Sequence, residues 1–368
     1  MKTKAAVVRE INQLTIEEVN LDPPKPYEVL VRMQAAGICH SDLHTYRGEL
    51  RAMPPLVLGH EGAGIVEAVG AEVSKVKPGD RILVNWLPSC NHCTACLRGQ
   101  NNLCERLPGT TLQALLPDGT TRLSTTDGIK LKHYLSASTM AEYAVVDEAS
   151  AILLPDDVPF EVASIIGCAV LTGTGAVLNT AQVPPGSSAA VIGCGGVGLS
   201  AIMGCKLAGC YPIIAVDVME SKFTFARELG ATHTINSRET NAIEALREIV
   251  RGGPDFIFDS VGAGVTIDQA LRGVRSGGAA VIMGMHSMKA DVPLSPAVLV
   301  AMNKRLLGSF AGSARPHLDL PHFLQLYRAG RLPVDKLVSQ RYRLEELPQA
   351  FHDMEAGKVA RGVILFDQ

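Results

Sequence analysis

Residues 189–217 read AAVIGCGGVGLSAIMGCKLAGCYPIIAVD. The apolar run Ala189–Ile192 has the length and composition of a buried strand. It enters Gly193-Cys194-Gly195-Gly196-Val197-Gly198, a G-x-G-x-x-G turn, and a helical stretch continues through Leu207. A second apolar run, Ile213–Val216, ends in Asp217, nineteen residues after the last glycine of the turn. The glycines allow a tight turn, close approach of a pyrophosphate and tight helix–strand packing, and the helix N-terminus offers unpaired N–H groups and positive potential. A carboxylate at the end of the second strand accepts hydrogen bonds from ribose hydroxyls and repels a 2′-phosphate, so NAD is expected over NADP. Lys222, five residues beyond Asp217, is a further candidate for the cofactor site, with an ordinary solvated lysine as the alternative.

Outward from this turn, strand-like runs alternate with helical ones from about 170 to 310. Ala189–Gly193, Ile213–Asp217, His233–Asn236, Asp255–Ser260 and Ala279–Met283 are expected strands, and Glu220–Leu229 and Asn241–Val250 expected helices. This alternation predicts a doubly wound parallel sheet. Before it, the chain is β-rich. Short runs such as Glu28–Gln34, Gly64–Val69 and Arg81–Asn85 are separated by Pro23-Pro24, Pro54-Pro55 and Pro78-Gly79-Asp80. Residues 107–133, polar and weakly periodic, read as an excursion from that β framework. The expected division is 1–169 with 311–368 as one β-rich domain and 170–310 as the dinucleotide domain, which suits a length of 368 residues.

Composition narrows the function. The net charge of −3 gives no electrostatic basis for nucleic-acid or anionic-membrane binding, and 47% hydrophobic residues exclude disorder. Ala189–Cys205, read as the most apolar stretch, is broken by five glycines and falls about three residues short of a span of roughly twenty. No membrane span is expected. MKTKAAVVRE at the N-terminus lacks the apolar core of a secretory signal, so a cytoplasmic enzyme is expected.

Nine cysteines are present, and four crowd together: Cys90, Cys93, Cys96 and Cys104, a C-x2-C-x2-C-x7-C pattern. In a reducing compartment such a cluster points to metal rather than disulfides. Four thiolates close a tetrahedral shell around zinc and leave no open position, so this zinc is structural. An iron–sulfur run ending C-x3-C-P is not matched. His92, inside the loop, is expected to face solvent. Cys194, Cys205 and Cys210 read as small apolar packers.

Further clusters are Gly37-Ile38-Cys39-His40-Ser41-Asp42-Leu43-His44 and Gly59-His60-Glu61-Gly62. With these, the chain resembles the zinc-dependent alcohol dehydrogenases of the medium-chain dehydrogenase/reductase superfamily. Six motifs occur in the family's order: C-H-S-D-L-H, G-H-E-G-A-G, the four-cysteine loop, G-C-A-V-L-T-G-T-G, G-C-G-G-V-G and G-K-V-A-R. The resemblance implies a GroES-like catalytic domain beside the Rossmann domain, and two zinc ions per chain. Cys39, His60 and Cys168 are implied ligands of a catalytic zinc, with Glu61 just behind it and Asp42 bonded to the His60 ring. Three protein ligands leave one position for water or substrate. The implied reaction is reversible oxidation of an alcohol to an aldehyde or ketone, the metal stabilising an alkoxide whose hydride passes to NAD. Ser41 and then His44 are implied to carry the alcohol proton to solvent.

The resemblance also places His40, Thr172 and Arg361 at the cofactor, His40 and Arg361 at its pyrophosphate. It places Leu50, Trp86 and Met285 along an apolar substrate channel. His40 stands where several relatives carry arginine, and should hold the cofactor less firmly. The 107–133 stretch resembles a loop of dimeric relatives, so a homodimer is expected. Two other functions remain open within the superfamily: a formaldehyde dehydrogenase acting on a glutathione or mycothiol adduct, and an enzyme that retains its nicotinamide and uses an external acceptor. Gly48-Glu49-Leu50-Arg51-Ala52 offers only Glu49 as an acid at the substrate entrance, which disfavours glutathione.

Overall fold

The computed structural model describes residues 1–50, 53–285, 292 and 294–366. Two compact units result, Met1–Cys168 with Arg315–Ala329 and Val338–Gln368, and Ala169–Ala314 with Gly330–Leu337. The chain passes from the first to the second within the helical stretch Phe160–Thr180, which includes π-helical turns at Ile166–Val170 and Ala176–Thr180. This helix, rather than Ala189–Cys205, is long and apolar enough to cross a membrane, but it is mostly buried inside the protein, as a core helix is.

In the first unit, strands Lys2–Glu10, Gln13–Leu21, Leu123–Thr125, Lys130–His133 and Leu56–Val57 close a small barrel. The stretch 107–133 is therefore partly framework, not an excursion. Its two strands are only three and four residues long, and its polar composition hides Leu116, Leu123 and Leu131, which fill the barrel. Arg122, in the same stretch, is buried. Its Nε and Nη2 bond the two carboxylate oxygens of Glu28 at 2.8 and 2.6 Å, and Nη2 also meets Asp118 at 2.6 Å. Such a fork satisfies a charge that sequence alone places on the surface.

Beside the barrel, a seven-stranded sheet runs Ala151–Leu153, Arg81–Val84, Gly62–Val69, Glu28–Ile38, Arg361–Leu365 and Val338–Tyr342, with Tyr143–Asp147 also paired to Glu28–Ile38. Register here decides the chemistry. Gly62 opposes Ala36 and Gly362 opposes Ile38. Glu61, Cys39 and Arg361 therefore meet at one end of the same three strands.

The second unit is a six-stranded parallel sheet ordered His233–Asn236, Ile213–Asp217, Ala189–Ile192, Phe256–Asp259, Ala279–Ile282 and Arg305–Gly308. Strand order reverses between Ala189–Ile192 and Phe256–Asp259, the switch point at which such sheets bind nucleotides. The five expected strands are present. The sixth, Arg305–Gly308, is a short, largely exposed edge strand with no alternation, and its pattern carries no signal. The return to the first unit begins at Arg315 rather than 311. Gly330–Leu337 rejoins the second unit, where Val334 and Leu337 are buried and the segment packs on helix Phe223–Leu229.

Candidate functional site

Helix His40–Tyr46 begins where strand Glu28–Ile38 stops. Asp42, in its first turn, is fully buried and organises the neighbourhood. Its carboxylate accepts from the backbone N of Cys39 at 3.2 Å and of Gly59 at 3.0 Å, and lies 3.4 Å from His60 Nδ1. One side chain thus caps the helix and holds His60 through its ring, the arrangement that fixes a metal-ligating imidazole. Cys168 enters from the π-helical turn Ile166–Val170, where Gly167 lies so close to Val84 O that a Cβ would come within 2.7 Å of it. Wide turns of this kind often mark functional sites.

The ligand atoms of Cys39, His60, Glu61 and Cys168 all lie within 4.8 Å of one another, and every one of these residues is buried. Among the described residues, His60 Nε2 and Glu61 Oε1 have no hydrogen-bond partner. Burial disfavours a charged His60, yet Asp42 and the Cys39 thiolate outweigh it and raise its proton affinity well above the ordinary value. The hydrogen bond from Cys168 holds the Cys39 thiol well below its usual range, while that same contact and burial push Cys168 well above it. A pocket that draws protons onto an imidazole and a thiol, beside a thiolate, has the donor set and charge for a divalent cation.

Glu61 sits behind these donors. Burial lifts its carboxyl to about 7 against the pull of Arg361, whose guanidinium pairs with it. Gly37 makes the space: a Cβ there would stand 2.0 Å from Glu61 Oε2. Arg361 is only 4% exposed. The residue expected at a pyrophosphate therefore has a carboxylate partner within the first unit, which the sequence does not signal.

Ser41 Oγ lies 3.6 Å from Cys39 Sγ, and His44 follows one helical turn later, its Nδ1 bonded to Glu49. His40 is exposed, its ring 6.1 Å from that of His44. Trp86, 6% exposed, meets the His60 ring edge-on at a centroid distance of 6.2 Å. Tyr134 does the same from another side at 5.5 Å, and its hydroxyl donates to Ser41 O at 3.0 Å. Tyr134 has no signature in the sequence, because its role depends on the barrel closing beside the helix. Leu50 is half-buried and Met285 is 51% exposed, while Arg51 and Ala52 of the entrance stretch lie outside the described residues.

The four-cysteine loop gathers as expected. Cys90 and Cys96 Sγ are 4.0 Å apart, Cys93 and Cys104 3.9 Å, and all four ligand atoms fall within 4.8 Å of one another. Backbone N–H groups of Cys96 and Glu105 lower the Cys93 thiol to about 6, while burial lifts Cys96 to about 12. A cation that replaces the thiol protons satisfies the set. His92 faces solvent.

In the second unit Gly193 has φ +89°, and a Cβ on Gly198 would lie 1.8 Å from Gly193 O. A Cβ on Gly195 would meet nothing within 4 Å among the described residues, which leaves the backbone there open to close approach by a ligand. Gly196 and Val197 start helix Gly196–Leu207. Asp217 is buried at its strand end. Its Oδ2 accepts from Cys194 N at 2.7 Å and lies 3.4 Å from Lys222 Nζ, and its Oδ1 accepts from Met219 N at 3.0 Å. Thr172 is buried in helix Leu171–Gly175.

Residues 25–156 match the family model described as alcohol dehydrogenase GroES-like domain, and residues 196–328 that described as zinc-binding dehydrogenase. The chain is 39% identical to alcohol dehydrogenase class-3 of Cereibacter sphaeroides and 38% identical to S-(hydroxymethyl)glutathione dehydrogenase of Paracoccus denitrificans, over the whole of each chain. Among solved structures, benzyl alcohol dehydrogenase from Acinetobacter calcoaceticus superposes with a TM-score of 0.94 at 32% identity, again over both whole chains.

Proposed function

We propose that this chain, which belongs to the zinc-dependent alcohol dehydrogenases of the medium-chain dehydrogenase/reductase superfamily, oxidises an uncharged alcohol with apolar bulk, using NAD. The observation that carries the reading is the buried Cys39–His60–Cys168 pocket, in which His60 Nε2 has no partner among the described residues. These three residues hold the catalytic zinc, and Cys90, Cys93, Cys96 and Cys104 hold the structural one. When bound, the catalytic zinc acts as a Lewis acid that acidifies an alcohol hydroxyl and polarises a carbonyl in the reverse direction. Ser41 takes up the proton beside Cys39 and His44, one turn along the same helix face, moves it towards solvent. Asp42 and Glu61 orient the donors. Trp86 forms an apolar wall next to His60 and sizes the substrate.

For the cofactor, Asp217 receives the adenosine ribose and Gly193–Gly198 the pyrophosphate, with His40, Thr172 and Lys222 as further contacts. Arg361 reaches the pyrophosphate only if its guanidinium serves Glu61 and a phosphate together. A homodimer is proposed through the edge strand Arg305–Gly308, whose Leu306 is 40% exposed. A cytoplasmic location suits the two proposed thiolate zinc sites, which a reducing compartment keeps from oxidation.

The test is a screen of ethanol, 2-propanol and benzyl alcohol with NAD and NADP, and of formaldehyde with and without glutathione, following absorbance of the reduced nicotinamide. Benzyl alcohol with NAD is expected to give the highest kcat/KM. The name of the Paracoccus denitrificans relative favours the thiol-adduct reading, and turnover confined to formaldehyde plus glutathione would establish it instead. Against it, Glu49, the one acid among the described entrance residues 48–50, is already paired with His44.

A further inference from the structure

After helix His40–Tyr46 the chain folds back on itself. Gly48 adopts φ +73°, and Glu49 N donates to His44 O at 2.8 Å. This turn brings the Glu49 carboxylate onto His44 Nδ1. The pair is graded towards water: the His44 side chain is 17% exposed and that of Glu49 41%. Among the described residues, the other ionisable groups close by are His40, Arg47 and Asp42. The His40 ring is 6.1 Å away on the same helix. Arg47 pairs with Glu355 of helix Leu347–Glu355 at 2.6 Å, and Asp42 is engaged by Cys39, Gly59 and His60.

We propose that Glu49 is a positioning residue for proton release, its carboxylate accepting from His44 Nδ1–H so that Nε2 is the nitrogen that takes the outgoing proton. The inference rests on the relay reading of Ser41 and His44. A five-residue separation does not place two side chains on one helix face, so only the glycine turn allows the contact. A carboxylate at Nδ1 selects the tautomer and stabilises the imidazolium once it forms. In each turnover the O–H bond of the relay hydroxyl breaks and Nε2–H forms. The Nδ1 proton then passes to the Glu49 carboxylate and from there to water, so one proton enters the pair and one leaves. Exchange with water returns the ring to its Nδ1–H form.

The test combines pH–rate profiles with a measurement that needs no turnover. Glu49→Gln should lower kcat for alcohol oxidation at neutral pH by about tenfold, less than the 10²–10⁴ that a general base itself supplies. The rate should recover as pH rises, and Glu49→Asp should restore part of it. In the zinc-loaded protein without nicotinamide, 15N resonances of the His44 ring should show the proton on Nδ1, moving to Nε2 in Glu49→Gln. In the double variant with His44→Gln, loss of Glu49 should cost nothing further. Equal slowing by Glu49→Gln with and without His44, or a wild-type ring protonated on Nε2, overturns the proposal. If His44→Gln slows turnover but Glu49→Gln does not, the proposal alone falls. An unchanged rate in His44→Gln removes the relay reading and the proposal with it.

Discussion

Asp42 shows how much one buried side chain can settle. It caps the helix through Cys39 N, ties in the loop through Gly59 N and aims His60, three partners within 3.4 Å. His133 shows the opposite case, a titratable group held in the neutral form. Its ring is fully buried, Nε2 accepts from Arg122 N at 3.1 Å, and burial, with Arg122 adding repulsion, lowers it to about 3. In the unfolded chain histidine titrates near 6.5, so between about 3 and 6.5 the unfolded state binds the extra proton. Stability is then full above about 6.5 and falls as pH drops, by at most about 1.4 kcal/mol per unit from this group. Urea unfolding from pH 4 to 7 should give a shallower pH slope for His133→Gln than for wild type. Identical slopes would mean that His133 is charged in the fold. Asp42 could be read in the sequence because it lies inside a family motif. The burial of His133 could not, because it depends on two very short strands closing a barrel.

At the scale of elements, the turn Gly193–Gly198 and the strand end at Asp217 act as one unit. The Asp217 carboxylate bonds the backbone N of Cys194 inside the turn, so the residue proposed for the ribose also braces the loop proposed for the pyrophosphate. Asp217→Asn keeps the size and removes the charge. Discrimination against NADP should fall by roughly a hundredfold, the worth of a few kcal/mol of lost charged contacts and repulsion. An unchanged ratio of kcat/KM for NAD and NADP would place the ribose elsewhere. This element was legible in full, since glycine spacing, strand length and the acidic residue are all local. The edge strand Arg305–Gly308 and the segment Gly330–Leu337 were not. Each is placed by long-range packing, and neither carries a local period. The Glu61–Arg361 pair joins residues 300 positions apart, brought together by the register of three strands.

At the scale of the molecule, the two cysteine-containing clusters of the first unit divide the work. The 90–104 loop uses four thiols, and its two short helical segments, Thr94–Leu97 and Asn101–Leu103, leave Leu97 and Leu103 exposed, so much of its order must come from the metal. The Cys39–His60–Cys168 pocket is built on a helix start, a strand start and a buried helix that other packing already holds. The catalytic zinc proposed for it is therefore expected to be lost without unfolding. The most direct measurement is zinc content, thermal stability and turnover of Cys168→Ser beside wild type. The expected result is two zinc ions per chain in wild type and one in the variant, with Tm within a few degrees and turnover abolished. A Cys168→Ser protein that keeps two zinc ions and oxidises alcohols at the wild-type rate would contradict the assignment of the catalytic site.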